Sequence, residues 1–149
     1  MKRIVFGMLA LAMAVAACQT GNNTAQSAQN VPFEVANGYF FRNDKAIPER
    51  PLVITSQEQL SEYFGCATTM SSRPTAIDFT THAVIAVVVP PTSVSTDIVT
   101  KSITSEGTDT LVVNYSVNRG DSITYTMQPM AMMVIAKERL LNNVVGNAE

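Results

Sequence analysis

Residues 83–89, AVIAVVV, carry no polar side chain, and neither do residues 130–136, MAMMVIA. Alternate residues of a strand point to opposite faces of its sheet. A strand that is apolar at every position must therefore be covered on both sides. Pro90-Pro91 closes the first run and Pro129 precedes the second, so proline punctuates both. These two segments commit the chain to central strands with material packed above and below them.

The remaining segments read as further strands and one helix. PFEVANGYFF (32–41) places Phe33, Val35, Tyr39 and Phe41 on one face of a strand, with a bulge at Asn37-Gly38. PLVIT (51–55) is a short strand. Ser56-Gln57-Glu58-Gln59 then has the form of a capping box, with Leu60 and Phe64 one helical turn apart and Gly65 as the stop. The chain from 94 to 105 is a strand whose apolar parity changes, which predicts a bulge near Ile98-Val99. TLVVNYSV (110–117) and SITYTM (122–127) alternate cleanly. Their odd-numbered apolar residues require an odd loop between them, and Gly120 in NRGD is available for its positive φ. The expectation is a mainly β domain: a single antiparallel β-sandwich or small barrel of about seven strands, with one short α-helix packed at one end.

The N-terminal region has a different character. Met1-Lys2-Arg3 is basic, Ile4 to Ala14 is an unbroken apolar run of eleven residues, and small residues lead to Cys18. That is the layout of a secretory signal peptide, too short for a spanning helix of about 20 residues. V-A-A-C at 15–18 resembles the bacterial lipobox, in which the cysteine is acylated and becomes the mature N-terminus. The alternative is cleavage at a nearby site that leaves Cys18 as a thiol. Residues 19–30, QTGNNTAQSAQN, have no charge and no large apolar side chain. They read as a flexible tether with a reach on the order of 20 Å. The expected organisation is a lipoprotein signal peptide over 1–17, a lipidated Cys18 with its tether over 18–30, and one β domain over 31–149.

Gln19 follows the cysteine, where aspartate marks inner-membrane retention in similar lipoproteins. The implied address is the bacterial outer membrane, on its periplasmic or its surface side. Loss of Lys2 and Arg3 leaves eight Lys and Arg against twelve Asp and Glu. This balance argues against nucleic acid as a partner, because phosphate binding needs basic charge. It also supplies no polybasic patch for anionic lipid, so the acyl chains alone would bring the protein to the bilayer.

No catalytic set is visible. His82 is the sole histidine, and no nucleophile elbow surrounds any serine. An intrinsic metal site lacks ligands at suitable spacing, and no cofactor fingerprint occurs. Arg119-Gly120-Asp121 matches an adhesive tripeptide, but turn chemistry accounts for it. Met127, Met130, Met132 and Met133 read as adaptable core filler. Cys66 has no partner in the chain if Cys18 is acylated. It is either a small buried hydrophobe or an exposed loop thiol able to meet a partner's zinc.

Several segments resemble the PrcB-like domains of bacterial lipoproteins. PLVITSQEQLSEYF resembles their strand leading through a Ser cap into a short helix. AIDFTTHAVIAVVV (76–89) resembles their step into a central apolar strand. SITYTMQPMAMMVIAK (122–137) resembles their proline-divided closing strands. The similarity spans about residues 50–137. It departs at Ser93-Val94-Ser95, where the family has Gly-Gly-Tyr. The resemblance implies an envelope lipoprotein that associates with a secreted protease, or, as in the similar potempin type, inhibits one. The partner would be a metallo- or serine-type peptidase. Two loops are candidates for the contact. Loop 65–74 offers Cys66, Ala67, Thr68 and Met70. Loop 90–96 offers Pro90, Pro91, Thr92 and Ser93, with its prolines lowering the entropy cost of binding. A structural subunit of an envelope complex is the alternative role.

Overall fold

The computed structural model describes residues 28–149. The readings made on the signal peptide, on Cys18 and on the tether up to Ser27 lie outside the described residues. In chain order the strands are β1 (Gln29–Asn30), β2 (Glu34–Val35), β3 (Tyr39–Phe41), β4 (Leu52–Ile54), β5 (Phe64–Cys66), β6 (His82–Val88), β7 (Thr92–Glu106), β8 (Thr110–Met127), β9 (Met130–Ala136) and β10 (Asn143–Ala148). One α-helix, α1 (Gln57–Tyr63), and a 3-10 turn at Lys137–Arg139 complete the list. No helix among the described residues is long and apolar enough to cross a membrane.

The strands form two four-stranded sheets and a ribbon. Sheet one has the order β1-β7-β8-β10, sheet two has β2-β9-β6-β4, and β3 pairs with β5. The fold is a mainly β sandwich and not a closed barrel. Sheet two is the middle layer, as its sequence demands. Ala83, Ile85, Val87, Met133 and Ile135 pack toward Ile98, Ile103, Leu111, Val113 and Val144 of sheet one. On the opposite face Val84, Ala86, Val88, Met132 and Val134 pack toward Phe41, Ile54, Leu60 and Phe64. Ala83 through Ala86 are wholly excluded from solvent. Each large apolar side chain so buried stabilises the fold by about 1.5–3 kcal/mol. The helix thus forms a third layer on the outer face of sheet two, instead of closing one end of the sandwich.

The prolines make the corner between the two sheets. β6 and β9 run side by side until Val88 faces Met130. The amide of Val89 donates to the Pro129 carbonyl at 3.1 Å, and the Gln128 side-chain amide donates to the Val89 carbonyl. Pro90, Pro91 and Pro129 have no N–H to continue that ladder. Both chains leave together as β7 and β8 and fold back as sheet one. Strands that switch sheets at a bend are one way a sandwich is cornered.

Five local expectations are corrected. Residues 33–41 are two strands in different sheets, since Gly38 turns the chain with φ of +85°. Val35 is consequently 53% exposed, and Ala36 is the buried residue. Gly65 does not stop the helix. It lies within β5, and Phe64 caps α1 in extended conformation. Ser56 Oγ does accept from the Gln59 amide at 3.2 Å, but Gln59 Oε1 reaches back to the amide of Thr55 at 2.8 Å, one residue beyond the box. The parity change in β7 is absorbed at Lys101, between the pairs Thr100–Tyr115 and Ser102–Asn114, and not at Ile98-Val99.

The fifth correction is the largest. Residues 110–127 are one strand, β8, with no hairpin at NRGD. Arg119 lies opposite Thr96, Ser122 opposite Val94 and Met127 opposite Thr92. Gly120 has no positive φ, and the chain reverses instead at Gly107, whose φ is +63°. The alternation at 122–127 does not mark a core face: four residues, Ile123–Thr126, stand against Ser93 alone, and Tyr125 is 64% exposed. The parallel pairing of β10 with β8, from Asn143–Thr110 to Ala148–Tyr115, had no sequence signal of its own. It is pinned where the Asn143 amide meets the Asp109 carbonyl at 3.0 Å, and where Asn143 Nδ2 meets the Asp109 carboxylate at 2.6 Å.

Candidate functional site

The loop that follows β5 is a projecting tip on a fixed base. Ala67 donates its amide to the Gly38 carbonyl at 2.8 Å, and Thr75 donates to the Asn37 carbonyl at 2.9 Å. Asn37 returns its amide to Thr75 Oγ1 at 2.9 Å, and the Tyr39 hydroxyl donates to the Thr75 carbonyl at 2.6 Å. Pro74 sits so close to Gly38 that a Cβ there would stand 2.6 Å from Pro74 Cα. Asn37–Tyr39 is therefore a platform from which residues 67–75 hang.

The tip itself closes on two residues. Thr69 and Ser72 face each other as an isolated antiparallel bridge, and their hydroxyls are 2.7 Å apart. Met70 and Ser71 form the turn between them. Met70 is fully exposed, the most exposed of the large apolar side chains among the described residues. A flexible, polarisable side chain held at the apex of a hairpin tip is suited to entering a cavity of another molecule.

Cys66 lies at the root of this loop, opposite Tyr39 in the β3–β5 ribbon. It is free and exposed. The buried-hydrophobe reading of this residue is thereby corrected: Cys66 shares a ribbon face with Phe64 but ends the strand, beyond the core positions held by Phe41 and Phe64. The Tyr39 phenol is held above its ordinary range, first by burial and second by the nearby Cys66. A protonated Tyr39 is the form that donates to Thr75.

The second candidate differs from its sequence reading. Only Val89, Pro90 and Pro91 connect β6 to β7, whereas Thr92 and Ser93 already belong to β7. The strand extends two residues earlier than its apolar pattern because Met127 supplies a partner to Thr92. Pro91 instead lines a cleft of about 380 Å³ with Asn43, Lys45, Ile47, Thr126, Met127 and Gln128. The Ile123–Thr126 bulge was missed as a surface feature. Its apolar residues read as core, and the register of β7 against β8 leaves Tyr125 exposed.

The two candidates do not merge into one pocket. The loop tip is tied to Asn37–Tyr39, and the cleft beside Pro91 is walled by 43–47 and 126–128. His82 is exposed, with Nδ1 2.8 Å from Thr81 Oγ1. Asp78 accepts from the Thr80 hydroxyl at 2.6 Å and the Thr80 amide at 2.9 Å. Those bonds, the hydroxyl's first, hold its carboxyl below the usual range. These groups shape the turn into β6. Among the described residues no group of three or more His, Cys, Asp or Glu is placed to hold a metal ion.

No protein-family model, curated protein or solved structure matches this chain.

Proposed function

We propose that this protein is an outer-membrane lipoprotein, anchored through acylated Cys18, that binds and inhibits or regulates a secreted peptidase without chemistry of its own. The observation that carries the reading is the loop 67–75: a tip with Met70 fully exposed, on a base fixed by four hydrogen bonds to Asn37–Tyr39. A preorganised loop loses little conformational entropy on entering a cleft, which is how loop inhibitors gain affinity. The resemblance of residues 50–137 to PrcB-like domains supports the same role.

The placement of the chain ends supports it further. The described chain enters at Gln29–Asn30, beside the Gly107 turn. Pro90 and Pro91 lie at the opposite end of β7, about 40 Å away along the strand. The chain leaving Ala36, whose amide donates to the Met132 carbonyl, heads for that same Met130 end of β9. A tether attached at one pole thus leaves the other free to meet a partner. Within the loop, Met70 is the group that would occupy a specificity pocket, and Cys66 is the thiol within reach of a catalytic zinc.

The test is inhibition by the full chain of a panel of secreted metallo- and serine peptidases. Inhibition lost in Met70→Asp and kept in Pro90→Ala supports the loop as the contact. Failure to inhibit any of them, together with co-purification of a non-enzymatic envelope protein, turns the assignment to a structural subunit.

A further inference from the structure

The outer edge of sheet one carries main-chain groups with no strand paired to them among the described residues. β7 is covered by β1 only near its end: Gln29 faces Ser105, Asn30 faces Thr104, and the Val31 amide donates to the Ile103 carbonyl at 2.7 Å. From Thr92 to Ser102 no strand lies on that side among the described residues. The direction of the backbone groups there follows from the other side of the sheet. Glu149 donates its amide to the Tyr115 carbonyl at 2.8 Å, so Tyr115 turns its polar groups toward β10 and away from β7. The facing pair Thr100–Tyr115 is therefore of the type that exchanges no hydrogen bond, and alternation makes Ile98–Val117 the next such pair. Ile98 and Thr100 direct their amides and carbonyls outward. Thr96, two residues earlier, agrees: its amide meets Met127 Sδ at 3.4 Å instead of a backbone carbonyl.

The opposite edge of the same sheet is guarded. Pro51 lies over Gly146 of β10, 3.4 Å from where a Cβ would stand, and Pro48 lines the same hollow. Proline beside an edge discourages strand addition. The β7 edge has no such cover, and its register is regular from Thr96 to Thr100, between irregularities on either side.

The side chains along this stretch define what fits it. Thr100 faces inward, its hydroxyl donating to Met133 Sδ at 3.1 Å. Met133 is the register partner of Val35, whose exposed side chain stands on the same flank of the sandwich. Asp97 and Val99 face outward and are exposed. The nearby Lys101 ammonium is taken by Glu149, whereas Asp97 has no ion-pair partner among the described residues. An occupant must supply extended main chain, an apolar residue toward Val35 and a cationic residue beside Asp97.

We propose that the Thr96–Thr100 edge of β7 accepts an extended, basic segment of another polypeptide as an added strand of sheet one. This needs no peptidase and uses none of the residues of loop 67–75, so the two readings stand or fall separately.

The probe is a nine-residue peptide of alternating Thr and Val with Arg at its centre, added at millimolar concentration to the full chain. The expected result is slowed hydrogen exchange of the Ile98 and Thr100 amides. The same peptide N-methylated at alternate amides should have no effect. Asp97→Lys should weaken the Arg peptide about tenfold and reverse the preference toward a Glu-centred version. Thr100→Pro removes an outward amide and leaves the ladder to β8, so it should lose the protection while keeping the fold. Three outcomes would overturn the proposal. One is no slowing with the Arg peptide, and another is equal slowing by the N-methylated peptide. The third is protection of Ile98 and Thr100 that rises with protein concentration alone, which would assign the edge to a second copy of this chain.

Discussion

The ring of Phe40 lies across Gly65. The two residues face each other in the β3–β5 ribbon, and a Cβ added at Gly65 would stand 2.3 Å from Phe40 Cζ. Glycine in a strand normally weakens it, having nothing to pack and much entropy to lose. Here the neighbouring ring covers the bare backbone, and the partners Phe41 and Phe64 meet edge to face beneath, with centroids 5.6 Å apart. Gly65→Ala should destabilise the protein by about 1–2 kcal/mol in urea unfolding, because the half-exposed ring has to swing away. In a Phe40→Ala background the same substitution should cost much less. Additive effects of the two substitutions would mean that the ring and the glycine do not interact.

The base of loop 67–75 depends on Gly38 more than on any other glycine. Its φ is +85°, and its missing Cβ makes room for Pro74 backbone at 2.6 Å. Gly38→Ala meets both strain and a clash that no rotamer relieves. It should cost more than about 1 kcal/mol of stability and raise the exchange rates of the Ala67 and Thr75 amides. Gly107→Ala is the control: its φ is +63° but nothing lies within 4 Å of the added atom, so strain acts alone and the loop amides should not change.

The Tyr39 hydroxyl gives the loop base a dependence on alkaline pH. Its folded pKa is raised by burial and then by Cys66. The folded state therefore holds the phenolic proton more tightly than the unfolded state does. The stability from this group is complete below the unfolded phenol range near pH 10 and is lost as pH rises through the folded value. Tyr39→Phe should remove that loss while lowering stability at neutral pH by about 1 kcal/mol, the worth of one hydrogen bond. Asp78 has the opposite sign. Its carboxyl is held low by Thr80, so the support it gives the 78–82 turn is present above the ordinary carboxylate range and fades as pH falls through the lowered folded value. Amide exchange at His82, whose N–H donates to the Asp78 carbonyl at 2.9 Å, should rise in acid for this reason.

What the sequence disclosed, and what it concealed, follows from how far each signal reaches. Ala83–Val89 and Met130–Ala136 announced a middle layer because covering both faces of a strand leaves no polar position. Ser56 announced α1 because a cap is a contact over three residues. The end of Val35's strand was hidden, since Asn37-Gly38 accommodates a bulge as easily as the turn between sheets that it makes. β10 was hidden because Asn143–Ala148 has one buried residue, Val144, and owes its place to Asp109 and Thr110 far away in sequence. Met70 was named for its loop alone. Its exposure rests on the Thr69–Ser72 closure, which is contributed by ordinary hydroxyls with no distinguishing motif.

Gly120 gives the most direct check on the continuous strand β8. Asn118-Arg119-Gly120-Asp121 has the composition of a hairpin turn, and at such a turn glycine would be needed for positive φ. In the structure Gly120 lies within β8 across from Ser95, and an added Cβ would meet Ser95 Cβ at an ordinary 3.5 Å. Gly120→Thr should therefore be neutral or stabilising, by up to about 1 kcal/mol, since a β-branched residue suits a strand and restricts the unfolded chain. A turn glycine replaced in the same way would destabilise by more than that amount. Thermal unfolding of this one variant separates the two geometries. A lowered midpoint would restore the hairpin and, with it, separate the Arg119–Thr96 register on which the open edge of β7 depends.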